Sequence, residues 1–484
     1  MVKSIVDVLN SLVWSRVLVF IILGAGFYFS VVTKFLQVRH FRHMISILLD
    51  NEDSDEGVSS FQALAISISG RVGTGNIAGV ATAIALGGPG AVFWMWVTAF
   101  LGAATSFIES TLGQIYKDRF EGEYRGGPAY FIERGMNVKW YAVLFAVSTL
   151  VAMGLLLPSV QANSIAAGMQ EAFSIPTLWT GIFLAVALAA IIFGGVKRIA
   201  KFAQVVVPIM AILYIIVALY VLIVNASQIP ALIKMIFVQA FSPRPALGGI
   251  AGSMVMIGVK RGLYSNEAGQ GTCPHAAAAA EVKHPAAQGL VQAFGVYIDT
   301  LFVCTATALM ILITGMYNIE NPAGGYLKES LPGVEIGPGY TQAAVDQAIP
   351  GFGSQFVAIS LLFFAFTTIL AYYYIAETNV AYIEEATGVV GWPMFLLKIF
   401  MLAATVFGAI RTAATAWAIA DLGVGIMAWL NIIAIVILRK PALEALRDYE
   451  SQLDSGVDVP VYDSSNLEVE NANFWEGYSE KDIV

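Results

Sequence analysis

Charged residues and cysteines are scarce in this sequence of 484 residues. Asp, Glu, Lys and Arg make up 12% of it, whereas hydrophobic residues make up 58%, and the mean hydropathy is +0.73. A water-soluble fold would leave too much of this apolar surface exposed, so the composition predicts a polytopic membrane protein. The sequence offers no basic patch for nucleic acid, and its two cysteines, Cys273 and Cys304, are too few for a disulfide framework or a metal cluster.

Histidine is also rare, and its positions argue against an enzyme. His40, His43, His275 and His284 all fall in or near the expected inner loops. No His-Glu-x-x-His or nucleophile motif lies inside an apolar run. A channel would need a continuous polar path or a ring of filter residues, whereas this chain has isolated polar clusters. A transporter is therefore favoured over both classes.

Apolar runs of about 20 residues predict eleven membrane-spanning helices. The first run is too long for the core of a signal peptide and has no small-residue cleavage site after it, so we expect it to remain as a helix. The composition of the outer connection at 316–352 leaves an ordered lid and a mobile loop equally open. The predicted spans are 13–36, 60–86, 90–116, 140–172, 177–195, 202–225, 246–271, 289–315, 353–384, 392–410 and 415–438.

Two of the apolar runs are interrupted by glycine-rich stretches, at residues 67–79 and 252–271. In hydrocarbon, a freed backbone N–H or C=O costs several kcal/mol if it stays unpaired. Such breaks therefore persist only where the backbone lines a protected cavity or binds something. Because each break opens one half of the chain, the pattern predicts a secondary transporter with its substrate near the bilayer midplane.

The positions of Lys and Arg predict the topology. In loops and termini, sixteen of these residues fall on one side and six on the other, which places the N-terminus outside and the C-terminus in the cytoplasm. With five helices per half, the two halves have opposite orientation, so the repeat is inverted. The predicted parts are an extra N-terminal helix and linker at 1–57, a first repeat at 58–225, an extracellular linker at 226–245, a second repeat at 246–438 and an acidic cytoplasmic tail at 439–484.

The first break contains Gly73, Thr74, Gly75 and Asn76, which combine a permissive backbone with small polar side chains. The N–H groups of Thr74 and Gly75, at the start of the following half-helix, can hold a carboxylate through hydrogen bonds and the helix dipole. Close helix packing is the alternative for small residues in lipid. The matching break in the second half favours binding.

Residues 87–102, with the sequence GGPGAVFWMWVTAFLG, are similar to the signature of the sodium:alanine (alanine or glycine:cation) symporter family. Residues 122–133 and 261–272 resemble other blocks of that family, and the resemblance covers most of the chain from about residue 60 to 440. It implies an all-α membrane protein with the leucine-transporter (LeuT) fold, a 5+5 inverted repeat with two discontinuous helices, here after one extra helix. It also implies sodium-coupled transport of small neutral amino acids, with alanine and glycine as substrates.

The same resemblance implies a sodium site. Residues 72–76 resemble the leucine-transporter motif whose unwound backbone binds the substrate carboxylate and sodium, with Thr74 and Gly75 as carboxylate donors. Sodium prefers about five or six hard oxygens, which hydroxyls and freed carbonyls supply without a carboxylate. The alternative is that the Thr hydroxyls bond carbonyls of their own helix. The implied sodium ligands are Ser69, Val72, Phe364, Thr367 and Thr368.

Charged residues inside the spans need partners. Glu109 resembles a family glutamate that accepts backbone N–H bonds and so braces the unwound segments. Arg71 is the alternative partner of Glu109, and proton relay is the alternative role. Asp299 is also an acid inside a span, and no motif indicates whether it has a structural role or carries a proton.

Polar residues around the second break are candidates for a cytoplasmic gate, because we expect them beyond the break, toward the inner face. Ion pairs there would separate when the site opens inward. Snorkelling to lipid headgroups is the alternative for the two cations. The residues of this predicted gate are Lys260, Arg261, Asn266, Glu267 and Gln270.

Two further groups are candidates for lining the substrate. Gln161 and Asn163 form a polar island in the fourth span, where they either line the site or bond neighbouring helices. Met254, Met256 and Ile257 would form walls suited to a small apolar side chain, although ordinary packing explains methionine as well. The candidate substrate-binding residues are Gly73, Thr74, Gly75, Asn76, Gln161, Asn163, Ser253, Met254, Met256 and Gly258.

These observations together predict a sodium-coupled symporter of alanine and glycine that works by alternating access in the plasma membrane. Its expected partners are a small amino acid, sodium and the lipid bilayer, with no cofactor besides the coupling ion. A monomer suffices for this mechanism. A proton-coupled amino-acid transporter of the same fold is the alternative.

Overall fold

The computed structural model describes residues 2–49, 57–120, 122–193, 196–241, 250–389, 391–464 and 469–476. Within these ranges the regular structure is helical apart from two short antiparallel hairpins and an isolated bridge. Seven described helical segments are long and apolar enough to cross a membrane, and four shorter apolar helices accompany them. The chain is therefore an all-helical membrane protein.

The first half of the chain contains long apolar helices connected by short amphipathic ones. A π-helical turn, Ala152–Leu156, joins α9 to α10, so these two helices form one continuous span. The β1–β2 hairpin consists of Asp118–Phe120 and Glu123–Arg125. The helices are α1 Val2–Val13, α2 Arg16–Val32, α3 Leu36–Arg39, α4 Phe41–Leu49, α5 Ser60–Arg71, α6 Val80–Gly87, α7 Gly90–Ile115, α8 Pro128–Met136, α9 Lys139–Val151, α10 Leu157–Phe173, α11 Thr177–Ile192, α12 Val196–Val224 and α13 Ile229–Ala240.

The second half follows the same plan. A π-helical segment, Tyr297–Cys304, joins α16 to α17, and the β3–β4 hairpin consists of Ile319–Glu320 and Tyr326–Lys328. The helices are α14 Ile250–Asn266, α15 Cys273–Ala279, α16 Pro285–Val296, α17 Thr305–Thr314, α18 Pro338–Ala348, α19 Gly353–Thr387, α20 Trp392–Ala409, α21 Ala413–Ile437, α22 Arg439–Asp454 and α23 Asn473–Glu476.

The apolar runs of the sequence coincide with these helices, and the connections differ most from expectation. The linker expected at 226–245 contains helix α13, and the connection at 316–352 is ordered as a hairpin followed by α18. The described part of the acidic tail predicted at 439–484 packs against the bundle. Helix α22 has a buried face, and Trp475 is buried.

Two ends of the bundle can be defined by the residues they carry. Trp14, between α1 and α2, lies toward one end, where its indole N–H donates to the carbonyl oxygen of Asp421 in the first half of α21. Helix α22 follows the other end of α21. We call these the Trp14 end and the tail end.

The first break separates α5 from α6. Ser59 begins α5 with a capping box, in which its hydroxyl accepts from the Gln62 N–H and the Gln62 side chain accepts from the Ser59 N–H. The helix ends at Arg71, and a π-helical turn, Gly75–Gly79, leads into α6. Residues 72–74 therefore expose backbone groups inside the bundle, where the sequence predicted a break.

The second break lies further along the chain than the sequence suggested. Helix α14 is continuous from residue 250 to Asn266, and the chain then turns before α15. Glu267, Gly269 and Gly271 have φ angles of 58°, 88° and 81°. This left-handed backbone is easy only for glycine, so the break forms where two glycines follow closely. Residues 253–258, expected at the break, lie within the intact helix instead.

Candidate functional site

The unwound residues of the first break are paired with side chains from other helices. Asn76 Oδ1 accepts the N–H of Gly73 at 2.8 Å, and Gln161 Oε1 on α10 accepts the N–H of Thr74 at 3.0 Å. The hydroxyl oxygen of Thr74 is buried and has no hydrogen-bond partner in the described structure. A main-chain N–H that is buried away from water can donate a hydrogen bond to a carboxylate.

Gly73 has almost no space around it. A Cβ at this position would clash with the Thr368 hydroxyl and would lie 3.0 Å from Gln161 Oε1. Gly75 is confined in the same way, since its added Cβ would be 3.2 Å from the Cα of Ser265 on α14. The close approach of α10, α14 and α19 to the break requires glycine at both positions.

Oxygen atoms from two helices converge between the first break and α19. The Thr368 hydroxyl lies 2.7 Å from the Ser69 carbonyl oxygen, 3.5 Å from the Val72 oxygen and 2.9 Å from the Phe364 oxygen. The Thr367 hydroxyl bonds the Phe364 oxygen at 2.9 Å, within its own helix. The Ser69, Val72 and Phe364 carbonyl oxygens therefore surround the Thr368 hydroxyl, and the Thr367 hydroxyl contacts this group through the Phe364 oxygen.

A buried carboxylate lies on the other side of the first break. Asp299 Oδ1 accepts from Asn76 Nδ2 at 2.6 Å and from the Ser265 hydroxyl at 3.1 Å. Its Oδ2 accepts from the Thr300 hydroxyl at 2.6 Å. Asn76 thus connects this acid to the Gly73 backbone, and the negative charge is held by three neutral donors.

Glu109 lies in α7 beside the second break. Its Oε1 accepts the N–H of Gly269 at 3.0 Å, and its Oε2 accepts the N–H of Gly271 at 3.1 Å. The Asn431 side chain of α21 donates to Oε2 at 2.7 Å. This geometry is that of a brace for the second break, since the two backbone donors freed there are satisfied by one carboxylate.

Arg71 does not pair with Glu109, the alternative that the sequence left open. Its guanidinium donates to the Gln292 carbonyl oxygen at 2.9 Å, to the Ser106 hydroxyl at 3.1 Å and to Cys273 Sγ at 2.6 Å. Arg71 therefore connects the end of α5 to α7, α16 and the start of α15. Arg71 thus links α5 and α15, which are the parts of the two broken helices at the tail end.

The predicted gate is divided between two places. Lys260 and Arg261 precede the second break and lie toward the Trp14 end, where Asp421 contacts the Lys260 ammonium at 2.6 Å and Arg261 Nη2 at 2.6 Å and 2.7 Å. Asn266 Oδ1 instead accepts the N–H of Ala268 within the break. The two cations were predicted to follow the break, whereas in the structure they precede it.

The other two residues of the predicted gate also belong to the break. Gln270 donates to the Leu263 carbonyl oxygen, which is freed at the end of α14. Glu267 is buried, its Oε1 lacks a hydrogen-bond partner in the described structure, and its Oε2 lies 3.4 Å from where a Cβ on Gly70 would be. Glu267 therefore lies between the two broken helices.

Aromatic rings cover the site toward the Trp14 end. The Tyr264 and Trp417 ring centroids are 4.8 Å apart, and the Arg261 guanidinium lies 4.5 Å from the Trp417 centroid. A Cβ on Gly79 would be 3.5 Å from the Trp417 ring, which places this ring against the π-helical turn of the first break. Asp421 was not predicted, although a lone acid in an apolar span signals a partner.

Several expected lining residues do not face the breaks. A Cβ on Gly258 would lie 2.6 Å from the Ala91 carbonyl oxygen of α7, so this glycine serves helix packing. Met254 contacts Gly90 at the start of α7, and Met256 packs half-buried against the core. Asn163 donates to the Gly408 and Arg411 carbonyl oxygens at the end of α20. The Ser253 side chain lies outside the described residues.

The described residues contain no group of three or more His, Cys, Asp or Glu side chains that could hold a metal ion. The oxygens gathered around Thr368 at the first break are hydroxyl and carbonyl oxygens. Such a set suits an alkali cation better than a transition metal, which prefers nitrogen, sulfur or carboxylate ligands.

Comparison with solved structures identifies the class of protein. The manganese transporter of Eremococcus coleocola superposes with a TM-score of 0.50, over 82% of this chain and 90% of that chain, at 13% sequence identity. At this identity the likeness concerns the fold alone. The architecture is thus that of an all-helical membrane protein with a LeuT-like fold.

The sequence comparisons identify the family. Residues 1–464 match the sodium:alanine symporter family, and this chain belongs to that family of transporters. It is 60% identical over 468 residues to YrbD of Bacillus subtilis (strain 168), covering 97% of this chain and 96% of the relative. It is 53% identical to the sodium/proton-dependent alanine carrier protein of Bacillus sp. (strain PS3), covering 90% of this chain and 98% of that protein. The family expected from residues 87–102 is therefore confirmed.

Proposed function

We propose that this protein is a sodium-coupled symporter that carries alanine and glycine across the plasma membrane by alternating access. The observation that carries the proposal is the position of the Thr368 oxygen cluster directly beside the unwound residues 72–74. One stretch of backbone thus offers carbonyl oxygens to a cation and N–H groups to a carboxylate. Family membership and the name of the Bacillus sp. (strain PS3) carrier, 53% identical, support the same substrate class.

The substrate carboxylate would bind the N–H groups of Thr74 and Gly75. The bond from Thr74 N–H to Gln161 Oε1 is one that a carboxylate oxygen can replace, since both acceptors are oxygens on sp² carbon. The tight surroundings of Gly73, together with the Tyr264 and Trp417 rings, favour a substrate with a small side chain.

Sodium would bind the oxygens of Ser69, Val72, Phe364, Thr367 and Thr368. The ion would order residues 69–72, which lead directly into the carboxylate donors at Thr74 and Gly75. Each ligand then lowers the ordering cost of the other, and thermodynamic linkage makes that effect reciprocal. This is the physical account of coupling.

We propose the following arrangement of the chain in the membrane. The Trp14 end is extracellular and the tail end is cytoplasmic, which agrees with the excess of Lys and Arg in the loops of the tail end. Eleven spans comprise one extra helix, in residues 1–57, and two inverted repeats of five helices, at 58–225 and 246–438. Residues 226–245 are the outer linker and 439–484 the cytoplasmic tail, and a monomer contains the complete site.

The two gates follow from this arrangement. The pairs that Asp421 forms with Lys260 and Arg261, beneath the Trp417 ring, would close the outer side. At the inner side, α5 and α15 would move as short helices, because their hydrogen bonding does not continue through the breaks.

Proton coupling is a second candidate, favoured by the buried acids Asp299 and Glu267 next to the two breaks. An acid that exchanges protons would make uptake respond to an imposed pH difference in the absence of sodium. Asp299→Asn would then abolish this response while sodium stimulation persists.

The proposed function is tested by uptake of radiolabelled alanine into liposomes that contain the purified protein, with sodium replaced by potassium at fixed pH. We expect sodium-dependent uptake and competition by glycine. Alaninamide, which lacks the carboxylate, should compete poorly. Sodium-independent uptake would refute the coupling, and equal competition by alaninamide would remove Thr74 and Gly75 from the proposed role.

A further inference from the structure

The last described segment of the chain, residues 469–476, is folded back against the tail end of the bundle. Trp475 is 3% exposed, and its indole N–H donates to the Gln114 carbonyl oxygen at the end of α7 at 3.0 Å. Ala472 is buried beside it, and Asn471 donates to the Arg134 carbonyl oxygen at 3.1 Å. This segment is therefore bound to the helical bundle through specific hydrogen bonds.

Lys117 connects this segment to the second broken helix. Its ammonium nitrogen lies 4.4 Å from the Phe474 ring centroid, 5.3 Å from that of Trp475 and 4.6 Å from that of Tyr124. The same nitrogen donates to the Ala280 carbonyl oxygen, just beyond α15, at 2.9 Å. Lys117 is 1% exposed, and cation–π attraction is strongest where the cation is desolvated.

The carbonyl that Lys117 binds lies where the two broken helices meet. The Val58 N–H donates to the Ala279 oxygen at 3.0 Å, and the Glu281 N–H donates to the Val58 oxygen at 3.0 Å. Val58 directly precedes the capping residue of α5. The start of α5 and the end of α15 are therefore hydrogen-bonded to each other. Lys117 and the aromatic rings around it pack against this contact.

A second attachment lies upstream in the tail. His284, which caps α16, faces Asp448 of α22, with 3.1 Å between Nε2 and Oδ2. The Tyr462 N–H donates to the Lys283 carbonyl oxygen at 2.9 Å, and the Tyr462 ring packs against both His284 and Trp475. Helix α22 and residues 469–476 thus contact adjacent parts of the tail end.

We propose that α22 and residues 469–476 form a latch that holds α5 and α15 closed at the tail end, and that release of Phe474 and Trp475 permits this end to open. The inference rests on the proposed alternating access, since only a transporter that opens at this end has use for a latch. Its physical basis is that Lys117 cannot keep both the Ala280 oxygen and the aromatic rings once α15 moves away.

Cys273 supplies a native reporter of this opening. It is the first residue of α15, it is buried, and Cys304 is the only other thiol of the chain. In a Cys304→Ser background, we would measure the rate at which a membrane-impermeant maleimide labels Cys273 from the tail side, without alanine. Phe474→Ala/Trp475→Ala should label faster by on the order of ten-fold, as three desolvated aromatic contacts of one ammonium are reduced to one.

Matched variants separate the latch from general destabilisation. Trp392→Ala removes an exposed tryptophan at the start of α20, which is not in the latch, and should label at the parental rate. Trp475→Phe keeps a ring and loses the bond to Gln114, so its rate should be intermediate. Deletion of residues 469–484 should reproduce the double variant.

Two outcomes would overturn the latch. The first is an unchanged Cys273 labelling rate in both the double variant and the deletion. The second is equal acceleration at Cys304 in a Cys273→Ser background, because Cys304 lies beyond the first break, beside Asn76, and its labelling would indicate loss of structure throughout the site. Faster Cys273 labelling in a protein that fails to transport alanine would keep the latch and refute the substrate assignment.

Discussion

The hydroxyl oxygen of Thr368 lies 2.7 Å from the carbonyl oxygen of Ser69, across the interface between α19 and the end of α5. Among the described residues, Thr367, one residue earlier, bonds only the Phe364 oxygen of its own helix. The hydroxyls of the two threonines therefore have different partners, although the family resemblance implied that both bind sodium. Thr368 is the one that connects the two elements.

This difference predicts that Thr368→Val raises the sodium concentration for half-maximal alanine uptake about ten-fold or more, equivalent to about 1.4 kcal/mol. The variant keeps the shape of the side chain and removes one oxygen from the proposed site. Thr378→Val is the matched control, because in the described part of the chain the Thr378 hydroxyl bonds only the Tyr374 carbonyl oxygen of the same helix. Equal sodium dependence in the two variants would show that Thr368 does not bind the ion.

The crowding around Gly73 predicts the effect of a single methyl group. Gly73→Ala should reduce alanine uptake at least about ten-fold, because overpacking costs about 1–3 kcal/mol and the added carbon meets Thr368 and Gln161. Gly24→Ala in α2 is the control, since no atom lies within 4 Å of its added carbon. Normal uptake by Gly73→Ala would exclude tight contact between the break and α19.

How far the sequence predicts this structure differs between the two breaks. Gly73, Thr74 and Gly75 marked the first break correctly, because glycine-rich polar residues in an apolar run have few other uses in lipid. The second stretch, 252–271, contains glycines with different tasks. Gly258 allows α14 to approach α7, whereas Gly269 and Gly271 adopt positive φ. Composition cannot distinguish packing from backbone conformation, so the break was placed too early.

The sequence alone also does not predict most of the partners of buried charged residues. Glu109 was expected to brace unwound backbone, and its bonds to Gly269 and Gly271 agree with that interpretation. The pairing of Arg261 with Asp421 spans 160 residues, and no local pattern indicates it. Long-range pairing depends on which helices pack together, which hydropathy alone does not specify.

The Glu109 geometry separates bracing from proton relay. Glu109→Gln should lower the free energy of unfolding by about 2 kcal/mol, because a charge-assisted acceptor of two backbone N–H groups is replaced by an amide. Unfolding is measured by titration with SDS in detergent micelles. The pH profile of the remaining alanine uptake should match that of the parent. A profile that becomes flat in this variant would favour proton relay.

Asp421 holds two cations, so its removal should be costly. Asp421→Asn is expected to lower the free energy of unfolding by about 3 kcal/mol or more, because breaking a buried ion pair leaves an uncompensated charge. Lys260→Met should cost much less, about 1 kcal/mol or below, since Lys260 is 19% exposed and Arg261 keeps its partner. Equal effects of the two variants would contradict the central position of Asp421.

The latch should weaken in mild acid through His284. The Nδ1 atom of His284 accepts the Ala286 N–H, so Nε2 donates to Asp448 and the docked imidazole is neutral. Burial lowers the pKa of His284. The released histidine, with an ordinary value of about 6.5, then binds a proton more readily than the docked one. Docking is therefore favoured above about pH 6.5 and progressively lost below it.

The other groups that face His284 titrate outside this window. The bond from His284 holds the pKa of Asp448 below its ordinary value, so this acid stays ionised in mild acid. Burial raises the pKa of Tyr449 and Tyr462, which stay neutral. Three further groups contact the latch: His40 and His43 lie against Glu450 and Tyr449 of α22, and burial lowers the pKa of Lys117 to about 7. Only the part of a change between about pH 7.5 and 5.5 that His284→Asn removes is therefore assigned to His284.

The measurement is the Cys273 labelling rate in the Cys304→Ser background, divided at each pH by the rate of Phe474→Ala/Trp475→Ala. This ratio cancels the slower reaction of the thiol itself in acid. It should rise as the pH falls from about 7.5 to 5.5 in the parent. In His284→Asn this rise should be lost, because asparagine still caps α16 and does not titrate. An equal rise in His284→Asn would mean that acid releases the tail through another group.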